Sequence, residues 1–167
     1  MKPLHRSLII ALIALPGIGL AAETPSMSSA PRDPVLEQFA AAKAKNEWGE
    51  AQATLRQALA RNPDNADYHN LYAYSIRKGP NPDMSLVFKH YNEALRIDPD
   101  HRGAHEYLGE AYLMVGNVAK AKEHLSVLDK LCFFPCDEYS DLKKAIADYE
   151  RKQVSREFLR NSSPVSS

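Results

Sequence analysis

Cys132 and Cys136, the only two cysteines among 167 residues, stand in a Cys-x3-Cys arrangement. That spacing suits a short disulfide, and it also suits soft-metal capture or thiol exchange where a remote histidine completes the site. His101, His105 and His124 are available for that role. No histidine adjoins the pair in sequence, and the aromatic Phe133-Phe134 between the thiols favours burial over exchange. Glu106 and Glu110 form a second pair, one helical turn apart. Carboxylates at that spacing act as acid–base catalysts only in a pocket that desolvates them, and otherwise form solvated surface. The chain contains no Gly-rich phosphate loop, no His-Glu-x-x-His helix and no Gly-x-Ser-x-Gly elbow. The expectation is a non-enzyme without catalytic residues, cofactor or metal ligands, its acidic pair exposed.

What two cysteines do depends on compartment. "MKPLHR" supplies Lys2 and Arg6, "SLIIALIALPGIGL" an apolar run interrupted by Pro16 and Gly17, and Gly19-Leu20-Ala21 small residues at minus three and minus one of a cleavage site. The run is shorter than the roughly 20 residues a membrane span needs. Residues 1–21 therefore read as a signal peptide cleaved near Ala21, and the protein as periplasmic. Losing Lys2 and Arg6 from 21 basic residues leaves 19 against 21 acidic ones. Near neutrality argues against nucleic acid or an anionic membrane surface as partner, and no membrane insertion is expected after cleavage. In an exported chain a disulfide is the simplest reading of Cys132 and Cys136, with a copper or thiol chaperone as the alternative. "ETPSMSSAPRDP" over 23–34 reads as a spacer, so the linker is placed at 22–32, the folded domain at 33–152 and a disordered tail at 153–167.

The element that must position these groups is a repeat. Ala51, Ala58 and Pro63 recur 36 residues later as Val87, Ala94 and Pro99, and the first two again 34 residues on as Ala121 and Leu128. Such a period means stacked helical hairpins, none of which buries its apolar face alone. In the third unit Leu108, Gly109, Ala111 and Tyr112 fall on one face of a first helix, Gly116-Asn117 turns the chain, and Ala121, Leu125 and Leu128 line the second. Gly109 is expected to face Ala121. After the third unit, Tyr139, Leu142, Ile146 and Tyr149 form one apolar stripe beginning just past Asp137 and Glu138, as in a capping helix.

His105, Leu108, Gly109, Tyr112, Ala121 and Leu125 follow the pattern W-x2-L-G-x2-Y, then A-x3-F, of the tetratricopeptide repeat family, which this chain resembles over about residues 33–131. Tyr72, Ala73, Tyr91, Ala94 and Pro99 carry the likeness in the second unit, and Ala51, Leu55, Ala58 and Pro63 in the first. The resemblance implies an all-α fold, three hairpins in a right-handed superhelix closed by the C-terminal cap. It also implies a concave groove lined by the first helix of each unit. Carried over by position, the groove takes Lys43, then Asp67, Asn70, Tyr74, Arg77 and Lys78, then Glu106, Glu110, Leu113 and Met114. The Lys, Asn and Arg cluster with which some members grip a C-terminal carboxylate is half present, opposite two glutamates. The functional expectation is an adaptor that binds a peptide segment of another exported or membrane-anchored protein around Tyr74. A homo-oligomer that holds a neighbour's tail is a further alternative.

Overall fold

The computed structural model describes residues 33–134 and 136–162. Among them the regular elements are seven helices: α1 (Pro34–Lys45), α2 (Trp48–Arg61), α3 (Ala66–Lys78), α4 (Met84–Ile97), α5 (Arg102–Met114), α6 (Val118–Leu131) and α7 (Asp137–Ser162). The signal peptide at 1–21, the linker at 22–32 and the tail residues 163–167 lie outside the described residues.

Local chemistry sets the helix starts. The first four N–H groups of a helix lack partners within it, and a short polar side chain ahead of the first turn satisfies some of them. Asp33 accepts from the Val35 N–H at 2.8 Å with Pro34 as the first helical residue. Asn65 accepts from Tyr68 at 2.9 Å, and Asn117 from Lys120 at 3.1 Å. His101 does the same for α5, its Nδ1 accepting from the Ala104 N–H at 3.1 Å. The Asp33 carboxylate also accepts from the Tyr68 hydroxyl at 2.6 Å, tying the start of α1 to α3. Gly116, at φ 81°, makes the α5–α6 turn in a conformation that glycine adopts without strain.

The helices pair as α1/α2, α3/α4 and α5/α6, each pair packs on the next, and α3 touches α5 as α5 touches α7. The repeat-equivalent residues Ala51, Val87 and Ala121 are all fully buried, as are Ala94 and Leu128. The apolar interior falls into three successive clusters: one around Phe39, Leu55 and Tyr74, one around Val87, Tyr91 and Leu108, and one around Leu128, Leu142 and Ile146. Tyr72 and Tyr107 join the first to the second, and Tyr112 the second to the third.

Two expectations need correction. Gly109 faces Leu142 of α7, not Ala121: a Cβ built on it would lie 2.6 Å from the Leu142 Cδ2. The small residue serves the cap, because α7 takes the place of the next unit's first helix. The helix also continues to Ser162, so residues 153–162 are helical and not a disordered tail. The stripe of Tyr139, Leu142, Ile146 and Tyr149 packs into the third cluster as its spacing requires.

Candidate functional site

The first helices carry the candidate residues at helical spacing: Asn70, Tyr74 and Arg77 on α3, then Glu106, Glu110 and Leu113 on α5. Positions four and then three residues apart share one helix face. The two rows are in register, since the Asn70 amide packs on Gly103, Tyr74 on Tyr107 and Arg77 on Glu110.

Tyr74 is the centre. Its ring contacts Phe39 at 6.2 Å, Trp48 at 5.8 Å and Tyr107 at 4.8 Å between centroids. Three cations surround it: the Lys43 Nζ at 5.1 Å, the Arg77 guanidinium at 5.5 Å and the Lys78 Nζ at 5.7 Å from its centroid. The negative face of an aromatic ring attracts such charges. Contrary to the expectation of an open aromatic platform, Tyr74 is buried within the first cluster, and desolvation there pushes its hydroxyl pKa up. Lys43 and Lys78 are exposed.

The acidic pair is likewise corrected. Glu106 is only 7% exposed, because α3 and α7 close on either side of α5. Burial pushes its pKa up to about 8, helped by repulsion from Glu110, Asp141 and Glu138, with Arg77 opposing. Glu110 is half-buried and sits 2.6 Å from the Arg77 Nη2. That contact lies off the guanidinium N–H directions, so it is an ion pair without a well-formed hydrogen bond. The Arg77 Nε–H donates to the Tyr91 hydroxyl at 3.3 Å. Asn70 is buried, and its Oδ1 accepts no hydrogen bond. Leu113 is buried in the third cluster with Leu142 and Ile146, apart from the Tyr74 centre, while Met114 is exposed.

Cys132 and Cys136 are joined in a disulfide between α6 and α7. The expected burial of the intervening aromatics fails: Phe133 is 92% and Phe134 75% exposed, stacked edge to face on each other. The disulfide closes a loop too short to fold its own contents into the core. Among the described residues no group of three or more His, Cys, Asp and Glu could hold a metal ion.

The sequence reading missed a duplicated histidine pair. The His69 Nε2 lies 2.8 Å from the Pro63 carbonyl and its Nδ1 2.8 Å from the His90 Nδ1; the His105 Nε2 lies 2.9 Å from the Pro99 carbonyl and its Nδ1 2.9 Å from the His124 Nδ1. A carbonyl only accepts, so Nε2 of the inner histidine carries the proton, and its bare Nδ1 accepts from the outer one. Burial, with the neighbouring histidine, pushes the outer pair, His90 and His124, down to about 4. The signal was the 36-residue step from Pro63 and His69 to Pro99 and His105.

Comparison with known proteins agrees with this geometry. Residues 36–83, which span α1 to α3, match the tetratricopeptide repeat family. The chain is also similar to the TPR repeat-containing thioredoxin TTL4 of Arabidopsis thaliana, 28% identical over 100 residues that make up 60% of this chain. That stretch spans only 14% of the relative's length. The fold is all-helical and built of tetratricopeptide-like hairpins, a repeat class that is typically non-catalytic and generally binds protein partners.

Proposed function

We propose that this chain is an exported, non-catalytic adaptor that holds a peptide segment of another exported or membrane-anchored protein against the first helices of its repeats. The observation that carries this reading is the charged and aromatic strip that crosses three hairpins. Lys43 of α1, Lys78 and Arg77 of α3 and Glu110 of α5 gather around one tyrosine, with both lysines open to solvent. Tyr74 fixes the geometry from below, and the lysines supply the accessible contacts. In the bonded form Cys132 and Cys136 offer no thiolate, so the chaperone alternative requires their reduction first.

The test reverses the two exposed charges, because Tyr74→Ala would open the core and confuse loss of binding with loss of fold. The double variant Lys43→Glu, Lys78→Glu is expected to retain the wild-type circular-dichroism spectrum and melting temperature while partner recovery from periplasmic extract falls. Undiminished recovery would remove this face from consideration. Intact mass of exported material beginning at Ala22 checks the compartment, and full-length chain recovered only from membranes would overturn it.

A further inference from the structure

Charge does not balance between α5 and α7. Glu106 and Glu110 project from α5, and Glu138 and Asp141 stand on α7, close enough that all three others act on the Glu106 carboxylate. Two cations answer these four carboxylates. Arg77 is taken by Glu110 at 2.6 Å, and the Arg102 Nε lies 3.7 Å from Glu138. Among the described residues none donates a hydrogen bond to the Glu106 side chain, whose charge three carboxylates repel and Arg77 alone attracts. One turn earlier on the same face, the Asn70 amide rests against Gly103, and its Oδ1, on a side chain 4% exposed, accepts nothing. A buried acceptor without a donor is unfavourable, and here the Asn70 Oδ1 lacks one beside four carboxylates that share two cations.

We infer that this strip is a subsite for one cationic side chain, lysine or arginine, of the polypeptide held by the repeats, with Glu106, Glu138, Asp141 and the Asn70 Oδ1 as its acceptors. The inference rests on the adaptor reading and deepens it. Glu138 and Asp141 form the accessible rim, Asp141 being exposed, while Glu106 and Asn70 form the floor. An ammonium or guanidinium group supplies both missing quantities, N–H donors and positive charge, whereas a neutral donor supplies only the first. An open cavity of about 280 Å³ adjoins the rim at Gly103 and Glu138; its wall is mixed in charge, with Asp98 and Asp100 beside Arg102 and with Asp67 held by the His101 Nε2 at 3.1 Å. Capture ionises Glu106, so binding near neutral pH releases a proton.

Random peptides displayed on phage and selected on the full chain provide the probe. Enrichment of lysine or arginine at one position is expected. Remaking a selected peptide with citrulline for arginine, or norleucine for lysine, should weaken its binding about tenfold or more. Glu106→Gln should weaken the basic peptide by a similar factor and leave the neutral one little changed. Calorimetry in buffers of different ionisation enthalpy should register proton release with wild type and none with Glu106→Gln. Asp141→Asn, at an exposed position, provides a second variant whose folding is not at issue. Binders without basic preference, or basic binders indifferent to both substitutions, would overturn the subsite and leave the adaptor reading standing. Recovery of no binders at all would overturn both.

Discussion

Glu106 and the outer histidines give the protein opposite responses to pH. The Glu106 carboxyl is raised from its usual range to about 8, so the folded state holds a proton that the unfolded chain gives up near 4.5. Its stabilisation is complete below 4.5 and is lost as pH rises through about 8. Glu106→Gln keeps the shape and removes the titration, so denaturant midpoints of variant and wild type should draw apart between pH 5 and 8 in favour of the variant. A constant difference across that range would show that Glu106 is not desolvated in solution. His90 and His124 work the other way. Their pKa values fall from 6.5 to about 4, so their contribution is present above 6.5 and is lost as pH falls toward 4. His90→Asn with His124→Asn retains a donor near the Nδ1 position and should flatten the acid limb of the stability profile; an unchanged acid limb would place its origin elsewhere. Between 4.5 and 6.5 the two effects oppose each other, so each variant is read against wild type at every pH.

At the scale of the helix, Gly109 decides how closely α7 approaches α5. A methyl group there adds about 1 kcal/mol of helix propensity. It also meets the Leu142 Cδ2 at 2.6 Å and Cδ1 at 2.7 Å, and Leu142 is fully buried, so overpacking costs about 1 to 3 kcal/mol. Gly109→Ala is therefore expected to lose stability on balance. Leu142→Ala alone should cost about 2 to 5 kcal/mol, and less in the Gly109→Ala background, because the first change partly fills the space that the second empties. Strict additivity in urea unfolding would mean that the two do not touch. The sequence showed Gly109 to be a packing position but assigned it the wrong neighbour. Periodicity says which residues share a face, and the identity of the opposing helix is set by the stack. The same limit explains Glu106 and Tyr74. Their spacing places them on the first-helix face, while their burial comes from α7 and from Trp48, long-range contacts that no local pattern encodes. Phe133 and Phe134 fail for the converse reason, since apolar type argues for burial and a five-residue disulfide loop leaves them packed on each other outside the core.

Across the whole molecule, three apolar clusters follow one another along the stack and share only bridging tyrosines. Stability in such an arrangement approximates a sum of unit terms and nearest-neighbour interface terms, so damage should be felt locally before it is felt globally. Leu142 lies in the third cluster, where α7 closes the exposed side of α5 and α6. Removing its side chain weakens that closure directly and reaches the first cluster through Tyr112 and then Tyr72 and Tyr107. Hydrogen exchange of Leu142→Ala, followed by mass spectrometry, should show the largest loss of protection in α5, α6 and α7, a smaller loss in α3 and α4, and the least in α1 and α2. Ala58, buried in the first cluster, supplies the mirror experiment: Ala58→Gly should loosen α1 and α2 and spare α6 and α7. Equal loss in all helices from either substitution would mean that the seven helices unfold as one unit and that the bridging tyrosines couple the clusters fully. A graded loss would mean that the α5–α7 end can loosen while the Lys43, Tyr74 and Lys78 face stays formed, so that the cationic subsite and the lysine face respond separately to substitution.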